Sequence, residues 1–182
     1  MTRRFYTLLL WLALPVVMIR LGWRALSSPG YRGRISERFG GGARDNRCCD
    51  LWIHAVSVGE VKAATPLVQR LLKEKKHLNI IITTMTPTGA QQVVDTFGSE
   101  VRHRFAPYDY PFAIRRFITR FSPRLLIIME TEIWPNMIRI CHQRGIAVAM
   151  ANVRLSARSA RGYRFVLPLV RDGLNKVSLF AA

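Results

Sequence analysis

LWIHAVSVGEVKAATPLVQRLLKEKKHLNIIITTM (51–85) decides the fold. It opens on a short apolar run (51–56), passes Ser57, Gly59 and Glu60 into a helical stretch (60–76), and returns to a second apolar run (79–85). Runs this short, apolar without alternation, read as strands buried on both faces. The pattern then repeats. LLIIME (125–130) and IAVAMA (146–151) are further strands and VRHRFA (101–106) is a weaker one, with helical stretches at 88–97, 110–121 and 132–144. KVSLFAA (176–182) reads as a sixth strand. Strands alternating with ten-to-fifteen-residue helices predict right-handed βαβ crossovers and a Rossmann-like, mostly parallel α/β sheet.

In an open α/β sheet, ligands bind outside the carboxyl ends of the strands. Those positions hold Ser57, Gly59 and Glu60 after the first strand, then Thr84, Thr86, Pro87, Thr88 and Gly89 after the second. Pro107 and Asp109 follow the third, Glu130 and Glu132 the fourth, and Asn152, Arg154 and Ser156 the fifth. Ser57-Val58-Gly59-Glu60 fits the S-x-x-E capping box. The same carboxylate, held ionised at a helix N-terminus, is suited to accept a proton from a hydroxyl, and Gly59 leaves room for a substrate. Thr86-Pro87-Thr88-Gly89 reads as an N-cap followed by Pro at the first helical position. Glu132 is explained as a cap for the next helix, whereas Glu130 is not. The run carrying Arg154, Arg158, Arg161 and Arg164 is a solvated face or a phosphate partner. There is no GxGxxG after the first strand and no GxxxxGK[ST], which disfavours dinucleotide and P-loop chemistry.

The formal net charge of +17 favours anionic partners: nucleic acid, anionic lipid or a phosphorylated substrate. Cys48, Cys49 and Cys141 form no metal-ligand spacing and point to a reducing compartment, and the histidines are unpaired in sequence. From Phe5 to Ile19 there is no charge. Those residues alone cover about three-quarters of a bilayer core of roughly 30 Å, so the segment is a short span or an interfacial helix. Arg20 and Arg24 separate it from any cleavage site, which favours an uncleaved anchor over a signal peptide. With Arg32, Arg34 and Arg38 they favour a cytoplasmic domain downstream. The expected organisation is an anchor at 1–28, a basic, Gly-rich linker at 29–49, and a globular domain at 50–182.

Taken together, HAVSVGE (54–60), TTMTPTG (83–89), PYD (107–109), METEIWPN (129–136) and NVRLSARS (152–159) resemble the bacterial 3-deoxy-D-manno-octulosonic acid (Kdo) transferases, although Val153 stands where that family more often has a small residue. The resemblance implies the N-terminal, acceptor-binding domain of a GT-B glycosyltransferase, with the C-terminal donor domain absent from this chain. It implies inverting transfer of Kdo from CMP-Kdo to the lipid A precursor, lipid IVA, at the cytoplasmic face of the inner membrane, without metal or cofactor and without nucleic acid. Glu60 matches the general base and Glu130 the position that stabilises the transition state. Ser57, Gly59, Thr84, Thr86, Glu132, Asn152 and Arg154 are the expected acceptor contacts. Two other readings stand beside it: an inactive remnant, and a membrane-anchored module that binds anions or nucleic acid.

Overall fold

Strand β1 (Leu51–His54) shows why the chain must fold in layers. Leu51 and Ile53 enter one apolar core, Trp52 enters the other, and all four residues are buried. Successive side chains of a strand point to opposite faces, so a strand apolar on both needs cover on both. The structure is a computed structural model that describes residues 2–27, 29–42, 48–75, 77–153 and 167–181. Ahead of β1 lie α1 (Arg3–Ser27), the short α2 (Pro29–Arg32) and a 3-10 turn (Ile35–Phe39). After it come α3 (Val58–Glu74), β2 (Ile80–Thr84), α4 (Pro87–Phe97), β3 (Arg102–Phe105) and α5 (Pro111–Phe121). Then follow β4 (Leu125–Met129), α6 (Pro135–Gln143), β5 (Ala147–Ala151), α7 (Leu167–Leu174) and β6 (Leu179–Ala181).

The six strands form one parallel sheet in the order β3-β2-β1-β4-β5-β6. Helices α3 and α4 cover the face bearing Ile53, Ile80 and Ile82. Helices α5 and α6 cover the face bearing Trp52, Ile81, Leu126 and Ile128. This is the doubly wound order, in which the direction of winding reverses between β1 and β4 and a crevice opens at their carboxyl ends. Each expected strand is present, β3 and β6 included. Pro87, Pro111 and Pro135 each open a helix, where the missing N–H has no intrahelical partner to lose. Helix α7 has no counterpart in the sequence reading, because Pro168 and Gly173 obscure its period.

The stretch 34–42 corrects the expectation of a linker at 29–49: it packs into the domain. Glu37 is buried and accepts from Phe105 N (2.8 Å), while the Arg34 guanidinium donates to both its oxygens at 2.9 Å. It therefore satisfies a backbone N–H on the open edge of β3. Gly40 closes the 3-10 turn at φ 71°, and a Cβ there would stand 2.2 Å from the Ala113 carbonyl, so only glycine fits.

Helix α1 is longer than the uncharged run predicts, with 25 residues, or about 37 Å at 1.5 Å per residue. Among the described residues it is the one helix long and apolar enough to cross a membrane. It is also docked. Arg3 Nη1 and Thr7 Oγ1 donate to Asn136 Oδ1 (3.2 and 3.1 Å), and Tyr6 Oη donates to Asp109 Oδ2 (3.0 Å). Tyr110 Oη donates to the Leu10 carbonyl (2.8 Å), Trp11 lies against Tyr110 and Phe112, and Leu21 is buried. The opposite side is one exposed apolar stripe of Phe5, Leu8, Leu12, Val16, Ile19, Trp23 and Leu26.

Candidate active site at the switch point

The β1–α3 junction builds the first carboxylate. Ser57 is the N-cap of α3, and its Oγ accepts from Glu60 N at 3.3 Å. Glu60 answers by accepting from Val56 N (2.9 Å) and from the Ser57 hydroxyl (2.9 Å). The capping box thus closes one residue earlier than the sequence pattern implies, and it fixes both carboxylate oxygens. Glu60 is only 3% exposed. The helix N-terminus was expected to keep it ionised. Instead burial, helped by the nearby Glu132 and Glu130, pushes its pKa up to about 7 against the two hydrogen bonds. A carboxyl tuned there is half-ionised near neutrality, the range in which a general base works best.

Beside it, Gly59 is exposed, has no positive φ, and a Cβ would meet only Ser57 Oγ at 3.8 Å. Neither backbone nor packing demands glycine, so the absent side chain leaves an open surface next to Glu60.

Across the switch point, Glu130 leaves β4 at φ 60° and Asn152 leaves β5 at φ 56°. Met129 and Ala151 are paired, so these two residues stand side by side, with Glu130 N donating to the Ala151 carbonyl at 2.8 Å. A left-handed residue other than glycine costs about 1–3 kcal/mol, and such strain gathers at functional sites. Asn tolerates the region, whereas Glu does not favour it.

Glu132 is held from behind. Trp134 Nε1 donates to its Oε2 at 2.8 Å, and burial together with Glu130 raises its pKa. Trp134 stands perpendicular to His54 at 4.8 Å. His54 is fully buried, and burial holds its pKa down at about 3, so it is neutral. Its Nδ1 lies 3.0 Å from Thr83 Oγ1, which accepts from Trp52 Nε1 at 2.9 Å. The Thr83 hydroxyl also reaches the Ile53 carbonyl, to which it donates at 3.4 Å. His54 Nε2 has no hydrogen-bond partner among the described residues, and the ring stands edge-on to Trp134. The buried Trp52, Thr83 and His54 thus back the half-buried Trp134, which holds Glu132. Sequence reasoning gave them no role, because each reads as core until the strands are placed in register.

Several expected contacts lie elsewhere. Thr84 is fully buried, with Oγ1 bonded to His103 Nε2 (2.9 Å) and to the Thr86 carbonyl (3.2 Å), which removes it from the rim. Thr86 caps α4, accepting from Gly89 N at 3.1 Å. Asp109 points inward and caps α6, accepting from Asn136 N (3.0 Å) and Met137 N (2.7 Å). Arg154 and Ser156 lie outside the described residues. Among those residues, no group of three His, Cys, Asp or Glu is placed to hold a metal.

A doubly wound parallel sheet with carboxylates at its switch point defines a Rossmann-like α/β domain. UDP-GlcNAc 2-epimerase from Neisseria meningitidis shares this fold at a TM-score of 0.51 and 12% identity, over 70% of this chain and 39% of that one. The model of the 3-deoxy-D-manno-octulosonic-acid transferase (kdotransferase) family matches residues 33–182, and the chain belongs to that family. It is 46% identical to the 3-deoxy-D-manno-octulosonic acid transferase of Haemophilus influenzae, over 100% of this chain and 43% of that protein. It is 35% identical to that of Bordetella pertussis, over 96% of this chain and 42% of the relative. A probable mitochondrial transferase of Arabidopsis thaliana is 35% identical over 98% of this chain and 40% of its own length. The chain therefore spans roughly two-fifths of the length of these relatives.

Proposed function

We propose that this chain forms the acceptor-binding half of a Kdo transferase acting from CMP-Kdo on lipid IVA in lipopolysaccharide biosynthesis. Glu60 takes the proton of an acceptor hydroxyl as that oxygen attacks the anomeric carbon of Kdo. The bond from that carbon to the phosphate oxygen of CMP breaks, CMP leaves with the electron pair, and the anomeric configuration inverts. Glu130 faces the positive charge that develops at the anomeric centre and favours it. Glu132 keeps Glu60 basic, Gly59 and Ser57 border the acceptor, and Asn152 and Arg154 position the sugar and a phosphate. Thr84 acts only through the loop it holds, and Thr86 through the cap of α4. The donor is bound by a second domain that these residues do not include.

The observation that carries this reading is the pairing of Glu60, tuned to about 7, with a strained Glu130 across the switch point. The docking of α1 through its inward side, with an exposed apolar stripe outward, supports attachment along the cytoplasmic surface of the inner membrane rather than across it. Calorimetric titration of the chain in neutral detergent with lipid IVA tests the reading. Saturable binding that Arg154→Ala weakens about tenfold, equivalent to roughly 1.4 kcal/mol, is expected. Binding no tighter than that of a plain anionic phospholipid, and unchanged in the variant, would refute it.

A further inference from the structure

A second site lies one strand away from the carboxylates. Between α1 and the carboxyl ends of β2 and β3 is a cleft of about 270 Å³, lined by Arg20, Arg24, Arg38, Tyr31, Thr86 and Tyr108 among others. Its chemistry is cationic and unbalanced. Arg38 is 2% exposed, donates Nη2 to the Met85 carbonyl at 3.0 Å, and lies over the rings of Tyr31, Phe105 and Tyr108. No carboxylate answers it among the described residues, and its neighbour Glu37 is engaged by Arg34. A guanidinium does not shed its proton, so burying one without an anion is costly. Carbonyl and ring faces offset part of that cost, and an anion in the cleft would offset the rest.

Two further guanidinium groups converge there. Arg24 is fixed by donating to Tyr31 Oη at 2.9 Å, and Arg20 forms no hydrogen bond or ion pair among the described residues. Thr86 brings in the N-terminus of α4, a helix of 11 residues whose dipole adds positive potential. Arginine forks match the oxygens of a phosphate better than any other anion of the membrane surface. Ile19 and Trp23, 72% and 73% exposed, neighbour Arg20 and Arg24 on the outward stripe of α1. We infer that this cleft binds the phosphate of an anionic lipid headgroup whose acyl chains lie along that stripe. The inference stands on the cleft and does not depend on the transferase reading.

The test uses the whole chain in neutral detergent, titrated with dioctanoyl phosphatidic acid, dioctanoyl phosphatidylcholine and inorganic phosphate. Saturable binding of the phosphatidate alone is expected, weakened about tenfold or more by Arg20→Gln and by Arg24→Gln. Both side chains are exposed, so the variants keep the fold, which near-UV circular dichroism verifies. Arg124→Gln, which removes the same charge at the amino end of the sheet, leaves binding unchanged. Equal binding by all four proteins would overturn the site and leave only a diffuse field. Inorganic phosphate binding as tightly as phosphatidate would overturn the lipid assignment.

Discussion

Trp134 donates its indole N–H to Glu132 at 2.8 Å, and this one bond ties the rim carboxylates to the interior of the sheet. Glu132 is held where its charge opposes ionisation of Glu60. Glu132→Gln removes that opposition, so the pKa of Glu60 should fall below its present value of about 7. Carboxyl carbon NMR of selectively labelled glutamate reads this directly. A Glu60 titration unmoved by the substitution would show that burial alone sets it.

The same tuning fixes a pH dependence of stability. Folding raises Glu60 from an ordinary 4.5 to about 7, so between those values the folded chain holds a proton that the unfolded chain has released. The stability contributed by neutral Glu60 is full below 4.5 and is lost as pH rises through about 7. Glu60→Gln stays neutral throughout. Its melting temperature relative to wild type should climb across that window, and a constant difference would contradict the raised pKa.

Gly59 separates folding from binding. Alanine at this second position of α3 meets nothing closer than 3.8 Å, so Gly59→Ala should keep the fold and gain up to about 1 kcal/mol of helix propensity. Lipid IVA binding should nevertheless weaken, because the added methyl group occupies the open surface beside Glu60. Urea denaturation and lipid titration on the same variant give both readings.

Asp109 joins three parts of the chain, accepting from Tyr6 on α1 and from the first N–H groups of α6. Tyr6→Phe deletes one buried hydrogen bond and should cost about 1 kcal/mol. Asp109→Ala also strips the cap and strands its donors, and should cost roughly 2–4 kcal/mol. Equal losses in urea unfolding would mean that the α6 cap carries no weight.

The strand–helix alternation was legible because each strand is apolar on both faces, as at IIITT (80–84), and because Ser57 and Thr86 announce their helices. Glu60 and Glu130 were legible as rim positions once the strands were numbered. Their condition was not. The proton affinity of Glu60 depends on burial and on Glu132, which is 72 residues away in sequence and close only when β1 pairs with β4. The left-handed turns at Glu130 and Asn152 carry no signal either, since glycine is the usual marker and neither residue is glycine. Thr84 and Asp109 misled for a simple reason: position after a strand does not say whether a side chain turns outward or in. The stretch 34–42 looked like a linker because its glycines and charges are those of a loop, while its packing rests on Glu37 meeting a backbone N–H of β3.

The fastening of α1 has a mechanical consequence. Tyr6 and Thr7 bind it to Asp109 and Asn136 at the start of α6, and the turn leading into α6 carries Glu132 and Trp134. Hydrogen bonds thus connect the helix that bears the outward stripe to the turn that bears Glu132. On the proposed function, the distance between stripe and crevice sets the height above the lipid plane at which an acceptor hydroxyl meets Glu60.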